Sequence, residues 1–400
     1  MATRSQAVRA LLFSLAAASL VGVGCGNDQD APDPKPRGGA APWRVTELRG
    51  SDPGGSGLSE YRTLRFDGHA VIVAGADYRQ RNLRVATLDI DRRRWLGLET
   101  GPLWWRYGQS TVSTGEELIV WGGCCGPAGE GSKAEGAAYD PARHRWRLLP
   151  DSPLGGARRH WHSAVWTGRE MIVWGGTQRS RRGAAYDPDR NRWRLIPPAP
   201  IDPRIQHVAV WTGSEMVVWG GVRSNRGELR GGACDRRLTD GAAFNPYSNE
   251  WRRIAQSPIR PGAPCEPQSS VAAWTGKEMI VSGVARLAAY DPRKDRWRMA
   301  TPAPRRVGPW GAIFFDGTEV IVAGIQEPGT TEDRTTGGAA YDPSGDSWRR
   351  LGPIPVPHDA NGGRMSFAWT GRELIGWDER GGKRKARPSG WIFWPPPARR

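Results

Sequence analysis

One short pattern, repeated seven times, constrains this chain more than any other feature. An apolar strand, a glycine-centred turn and a strand of the Val-Ile-Val type follow one another, as in Trp166-Thr167-Gly168-Arg169-Glu170-Met171-Ile172-Val173-Trp174-Gly175-Gly176. The turn glycines are Gly68, Gly115, Gly168, Gly213, Gly276, Gly317 and Gly371, at intervals of 47, 53, 45, 63, 41 and 54 residues. A period of this kind means supersecondary units that each bury a face against the next, so 400 residues can form one body rather than two or three domains. Each unit opens as a β-hairpin, because a glycine supplies the positive φ that a two-residue turn requires. The second strand ends in Gly-Gly at Gly122-Gly123, Gly175-Gly176 and Gly220-Gly221, where the chain must bend or pass close to another backbone.

A second hairpin follows in each unit. Tyr-Asp-Pro starts a turn, and a Trp-Arg strand comes after it, as in Tyr186-Asp187-Pro188 with Trp193-Arg194. The spacing does not vary: Leu88 and Trp95, Tyr139 and Trp146, Tyr186 and Trp193, Phe244 and Trp251, Tyr290 and Trp297, and Tyr341 and Trp348 are all seven apart. Such pairs can meet across adjacent strands and fill the outer core of a sheet. The 53 Gly, 33 Pro and 21 Trp suit many short strands and tight turns, and no stretch holds a helical period.

Gly-Gly combined with this Tyr-x6-Trp spacing resembles the kelch repeat, over nearly everything from Trp43 to Pro395. The resemblance implies an all-β fold, a seven-bladed kelch-type β-propeller of four-stranded blades. It departs at the ends, where Gly75-Ala76 and Asp378-Glu379 stand in place of Gly-Gly. After Gly371 the chain has room for a third strand, Gly390 to Trp394, before Pro395-Pro396-Pro397 ends it. The missing Trp-Arg strand occurs at the other end as Trp43-Arg44-Val45-Thr46-Glu47-Leu48, so the last blade is expected to be closed by the N-terminal strand.

Ahead of residues 43–400 lie two segments of different character. In residues 1–25, Arg4 and Arg9 precede an apolar run from Ala10 to Gly24, the pattern of a secretory signal. Val21-Gly22-Val23-Gly24-Cys25 resembles a bacterial lipobox, with Gly22 where that motif prefers Leu, and implies lipidation at Cys25. Residues 26–42, rich in Pro, Gly and Asp, read as a flexible linker. The chain is therefore expected in the cell envelope or periplasm, lipid-anchored if Cys25 is modified and otherwise secreted. The lipid would be its only attachment to a membrane. Four cysteines remain for an oxidising compartment. Cys234 and Cys265 fall on one side of one unit and are expected to pair, leaving Cys124-Cys125 as free thiols or a vicinal bridge; a link from either to the doublet is the competing pattern.

Because strands alternate in direction, the loops after second strands and those between units share one face, and the tight turns share the other. Insertions at 123–136, 221–241, 254–268 and 324–338 fall on the first face, where a rigid scaffold usually carries binding loops. Three successive units place Arg-x-x-His or Arg-x-x-Gln there: Arg106 with Gln109, Arg159 with His162, and Arg204 with His207. These six are the candidate ligand-binding residues, suited to an anionic or polyhydroxylated ligand, against a purely structural role in which they bond loop carbonyls. The net charge of +16, which falls by two if Arg4 and Arg9 leave with the signal, favours acidic partners.

No catalytic residue, metal ligand or cofactor site is evident. Cys124-Cys125 lacks the paired spacing of a zinc site, no phosphate loop precedes a helix, and no nucleic-acid module is recognisable. Among kelch-type enzymes, copper-radical galactose oxidases imply a Tyr–Cys cross-link, which has no counterpart beside His160, His162 and His207. Periplasmic sialic-acid mutarotases would suit a cationic pocket, but an acid/base pair is missing. The sequence thus points to a monomeric, non-catalytic scaffold for a protein or anionic glycan, with a sugar-processing enzyme as the alternative.

Overall fold

The computed structural model describes residues 43–47, 58–66, 70–77, 82–104, 106, 108–124, 135–155, 159–223, 236–260, 271–283, 286–304, 307–326, 335–352, 365–370, 373–378 and 390–395. The segments carrying Cys25, Cys125, Cys234 and Cys265 lie outside them. The described residues form no helix; they form seven four-stranded antiparallel sheets and one two-stranded ribbon, Val222–Arg223 with Arg236–Arg237.

Six sheets are built from four consecutive repeat strands. The third is typical: Ser163–Trp166, Met171–Trp174, Gly183–Asp187 and Arg192–Ile196, in that spatial order. In the seventh, Met365–Trp369, Leu374–Asp378 and Gly390–Trp394 are joined by the N-terminal strand Arg44–Glu47, whose register sets Arg44 opposite Trp394 and Glu47 opposite Trp391. Trp43, just ahead of it, is buried with Phe314, Leu374 and Phe393.

Second strands are buried on both faces. Met171 and Val173 pack toward the second sheet with Trp121 and Ile119, whereas Ile172 and Trp174 pack toward the fourth with Met216 and Phe244. A strand sandwiched in this way must read as a continuous apolar run, which explains Met-Ile-Val-Trp in place of alternation. The same sandwiching joins sheets one and two, four and five, five and six, and six and seven. Strand Leu58–Phe66 of the first sheet also contacts Met365–Trp369 of the seventh, and Arg93 lies 5.7 Å from the ring centroid of Trp394.

All six aromatic or Leu and Trp pairs meet as direct cross-strand partners, Tyr186 with Trp193 among them at a ring separation of 5.0 Å. The Trp also reaches back: Trp193, Trp251, Trp297 and Trp348 donate Nε1–H to the carbonyls of Pro150, Pro197, Ala255 and Thr301, where the chain leaves the preceding sheet. In the first hairpin Thr167 N–H donates to Glu170 O, leaving Gly168 and Arg169 as the turn, with Gly168 at φ 92°.

Candidate functional site

The second-to-third-strand connections and the connections between sheets emerge at one end of the sheets. Here Gly-Gly of one unit meets Arg-x-x-His of the next. Gly123 N–H donates to Arg159 O (2.8 Å) and Gly176 N–H to Arg204 O (2.9 Å). The glycines are required by contact as well as by φ: a Cβ on Gly122 would sit 2.6 Å from His162 Cε1, and one on Gly175 would sit 2.4 Å from His207 Cε1.

Each arginine then ties the start of its own unit to the end of that unit's second strand. Arg106 Nη1 donates to Gly122 O (3.2 Å), Arg159 Nη1 to Gly175 O (2.8 Å) and Arg204 Nη1 to Gly220 O (3.0 Å). Arg204, fully buried, adds the carbonyl of Asp240 (3.1 Å) and an ion pair with its carboxylate (2.9 Å). Burial lowers the pKa of all three guanidinium groups, that of Arg159 to about 10. The histidines wedge between sheets: His162 Nε2 shares a hydrogen bond with Ser110 Oγ and His207 Nε2 with Ser163 Oγ, both 2.7 Å, and their rings meet Trp121 and Trp174 edge-on. Burial, reinforced by Arg159 and Arg204 respectively, holds both imidazoles down to about 3.

The structure therefore brings Arg106, Arg159, Arg204, His162 and His207 together in one repeating arrangement, with their donors turned toward loop carbonyls and serine hydroxyls. Gln109 is half-buried, its Oε1 without a partner among the described residues. The geometry is that of a lock between neighbouring sheets: Arg204 is engaged at Nε, Nη1 and Nη2, whereas Arg159 makes its bond through Nη1 and keeps a buried Nε without a partner among the described residues.

What faces outward beside this lock is a different set. Among the described residues eight non-glycine residues have positive φ; six of them, Arg93, His144, Asn191, Asn249, Asp295 and Asp346, occupy the same position in the second hairpin, at the opposite end. The other two, Trp161 (φ 55°) and Gln206 (φ 56°), are equivalent to each other and to Gly108 (φ 61°), each preceding the last residue of the Arg-x-x-His or Arg-x-x-Gln motif. Backbone bonds link the three: Trp161 N–H donates to Gly108 O (2.8 Å) and Gln206 N–H to Trp161 O (2.9 Å). A bulky aromatic residue in this region is strained by about 1 kcal/mol or more. Trp161 is half-buried, with His160 edge-on at 4.6 Å. Sequence reasoning passed over Trp161; the signal was its alignment with Gly108, since a position occupied by glycine in one unit and tryptophan in the next is not filled for backbone reasons alone.

Also missed was an acid-base tie on the opposite, tight-turn end. In the second to sixth sheets the Glu two residues after the turn glycine grips the Arg after the Trp, as in Arg147 with Glu117 (2.5 Å), Arg252 with Glu215 (2.6 Å) and Arg298 with Glu278 (2.6 Å). The same arginines donate to the next sheet's tyrosine hydroxyl, Tyr186 (2.7 Å), Tyr290 (3.1 Å) and Tyr341 (2.6 Å). Both residues keep fixed offsets from the Gly and the Trp, so the pattern was present in the sequence. Among the described residues no group of three His, Cys, Asp or Glu is placed to hold a metal ion. Cys124 is engaged in a disulfide, so the doublet does not persist as two free thiols.

Comparison with known proteins gives one family model, described as the KLHDC2/KLHL20/DRC7 Kelch-repeats domain, matching residues 108–324. Kelch-like protein 35 of Mus musculus is 28% identical over 131 residues, which is 32% of this chain and 21% of that protein. The chain thus covers about a fifth of the length of that relative.

Proposed function

The chain belongs to the kelch-repeat family, and from that membership we propose that it is a non-catalytic recognition scaffold that binds a protein partner through the end of the sheets where the long connections emerge. The observation that carries this reading is Trp161, a large ring held at positive φ on that end, above a glycine and beside His160. Strain of this kind persists where the surrounding structure enforces it, and it collects at sites that bind. Tryptophan anchors dominate protein interfaces, and connections on a rigid scaffold supply the rest of the contact.

The same proposal takes the seven sheets as the blades of a closed propeller, with Arg44–Glu47 as the outer strand of the last. In support, neighbouring sheets share apolar clusters, and the first sheet touches the seventh. It also takes the chain as an exported monomer anchored through a lipid on Cys25. The support is the apolar run ahead of Cys25 and the disulfide at Cys124, which suits an oxidising compartment.

The test compares wild type with Trp161→Gly, which removes the ring and accommodates the backbone. Each is panned against a displayed peptide library and a panel of acidic glycans. Saturable peptide binding, lost in the variant at unchanged melting temperature, is expected. Equal binding by both proteins would overturn the site, and chemical turnover of a glycan would favour a sugar-processing enzyme.

A further inference from the structure

On the opposite, tight-turn end, the junction between the third and fourth sheets differs from its neighbours. At three other junctions the arginine after Trp reaches the next sheet's tyrosine hydroxyl, which in turn donates to the acid or amide at the positive-φ position: Tyr186 to Asn191 (2.7 Å), Tyr290 to Asp295 (2.6 Å), Tyr341 to Asp346 (2.5 Å). In the fourth sheet that tyrosine is Phe244. Arg194 still grips Glu170 (2.7 Å), but its Nη1 meets only Asn249 Oδ1 (3.0 Å). The clasp is open here, between two junctions at which it is closed; Phe393 of the seventh sheet and Leu88 of the first hold the same position and likewise carry no hydroxyl.

A cleft of about 500 Å³ lies there. Its walls carry Arg169, Arg190, Arg192 and Arg194 with Pro246 and Tyr247. Two acids share the wall and both are engaged: Glu170 by Arg194, and Asp187 by Arg190 (2.7 Å) with Arg169 at 4.0 Å. Four guanidinium groups against two carboxylates leave two positive charges without a counter-ion. Tyr247 is 78% exposed, the most exposed large apolar side chain of the described residues, and its backbone is pinned by Asn245 Oδ1 (2.8 Å).

We propose that this cleft is a second recognition site, which takes an acidic peptide segment of a partner protein. Glutamate or aspartate carboxylates meet Arg169 and Arg192 in two-point hydrogen-bonded pairs, and the chain of the peptide lies against the ring of Tyr247. A guanidinium fork matches a planar carboxylate better than it matches a point anion, and pre-set aromatic faces add contact at low entropic cost. The site is separate from the long-connection end, so its failure leaves the reading of Trp161 untouched.

The test is fluorescence anisotropy of the full chain with fluorescein-labelled, end-capped hexaglutamate. Arg169→Ala with Arg192→Ala is expected to weaken binding at least tenfold, and Tyr247→Ala several-fold. Because the whole chain is cationic, Arg92→Ala with Arg143→Ala is the control. Those arginines are exposed, pair with Asp89 and Asp140, and hold equivalent turn positions in the first two sheets. That pair is expected to change affinity less than twofold. The proposal is overturned if both double variants bind alike, or if a sulfated oligosaccharide binds in a manner sensitive to Arg169 and Arg192 while hexaglutamate does not.

Discussion

Lowering the pH from 7 to 5 protonates imidazoles in the unfolded chain but leaves His162 and His207 neutral in the folded one. Both have native values of about 3, because they are desolvated between sheets and face Arg159 and Arg204, whereas an imidazole in an unfolded chain titrates near 6.5. The unfolded state therefore binds more protons as pH falls through 6.5, and stability is lost with falling pH until about 3. At pH 5 the loss is about 2 kcal/mol per histidine, roughly 4 kcal/mol for the pair. A native value one unit higher would change that figure by less than about 0.1 kcal/mol, because at pH 5 the native imidazoles stay neutral either way. With an unfolding entropy proportional to the length of the Ala40–Arg400 unit, the melting temperature should fall by about 5 °C. The carboxylates whose values are lowered, Asp89, Asp140, Asp187, Asp342 and Asp346, lose their contribution below about pH 4 and leave this window to the histidines. Calorimetry of wild type and of His162→Gln with His207→Gln, each at pH 7, 6 and 5, measures the difference. The amide keeps a partner for Ser110 and Ser163, so the double variant should start less stable but show a flatter profile. A wild-type melting temperature that moves by less than 1 °C between pH 7 and 5 would refute the reasoning even if the variant does not fold.

Four further outcomes follow from the same geometry. Arg204→Ala strands the carbonyls of Gly220 and Asp240 and an acid, so it should cost about 2–4 kcal/mol in denaturant unfolding; an unchanged midpoint would mean the guanidinium is free for a ligand. Removing residues 43–47 takes a strand and the buried Trp43 from the seventh sheet and should cost about 3–5 kcal/mol, so a chain beginning at Arg49 that melts like one beginning at Gly26 would contradict the pairing with Gly390–Trp394. Tyr290→Phe removes the hydroxyl between Arg252 and Asp295 and should lower stability by about 1–3 kcal/mol, read from urea midpoints. Non-reducing peptide mapping decides the cysteines: a bridge from Cys124 to Cys234 or Cys265 excludes a Cys234–Cys265 pair, and a Cys124–Cys125 bridge leaves that pair open.

Much of this fold was legible in one dimension because a repeat states each local rule several times. The hairpin glycines, the Tyr-x6-Trp register and the N-terminal strand's resemblance to a missing fourth strand depend only on turn chemistry and on a period of two, properties of neighbouring residues. The family followed from the same repetition. The role of Arg-x-x-His did not. Its spacing is equally compatible with a guanidinium facing solvent and one facing a carbonyl sixteen residues on, and only the packing of one sheet on the next selected the second. Nor could the sequence reveal that Phe244 opens a cleft or that Trp161 is strained, since each gains its meaning from atoms in a different unit. Strand periodicity is written in adjacent residues, whereas the direction of a donor is fixed by whatever tertiary packing leaves unpaired within reach.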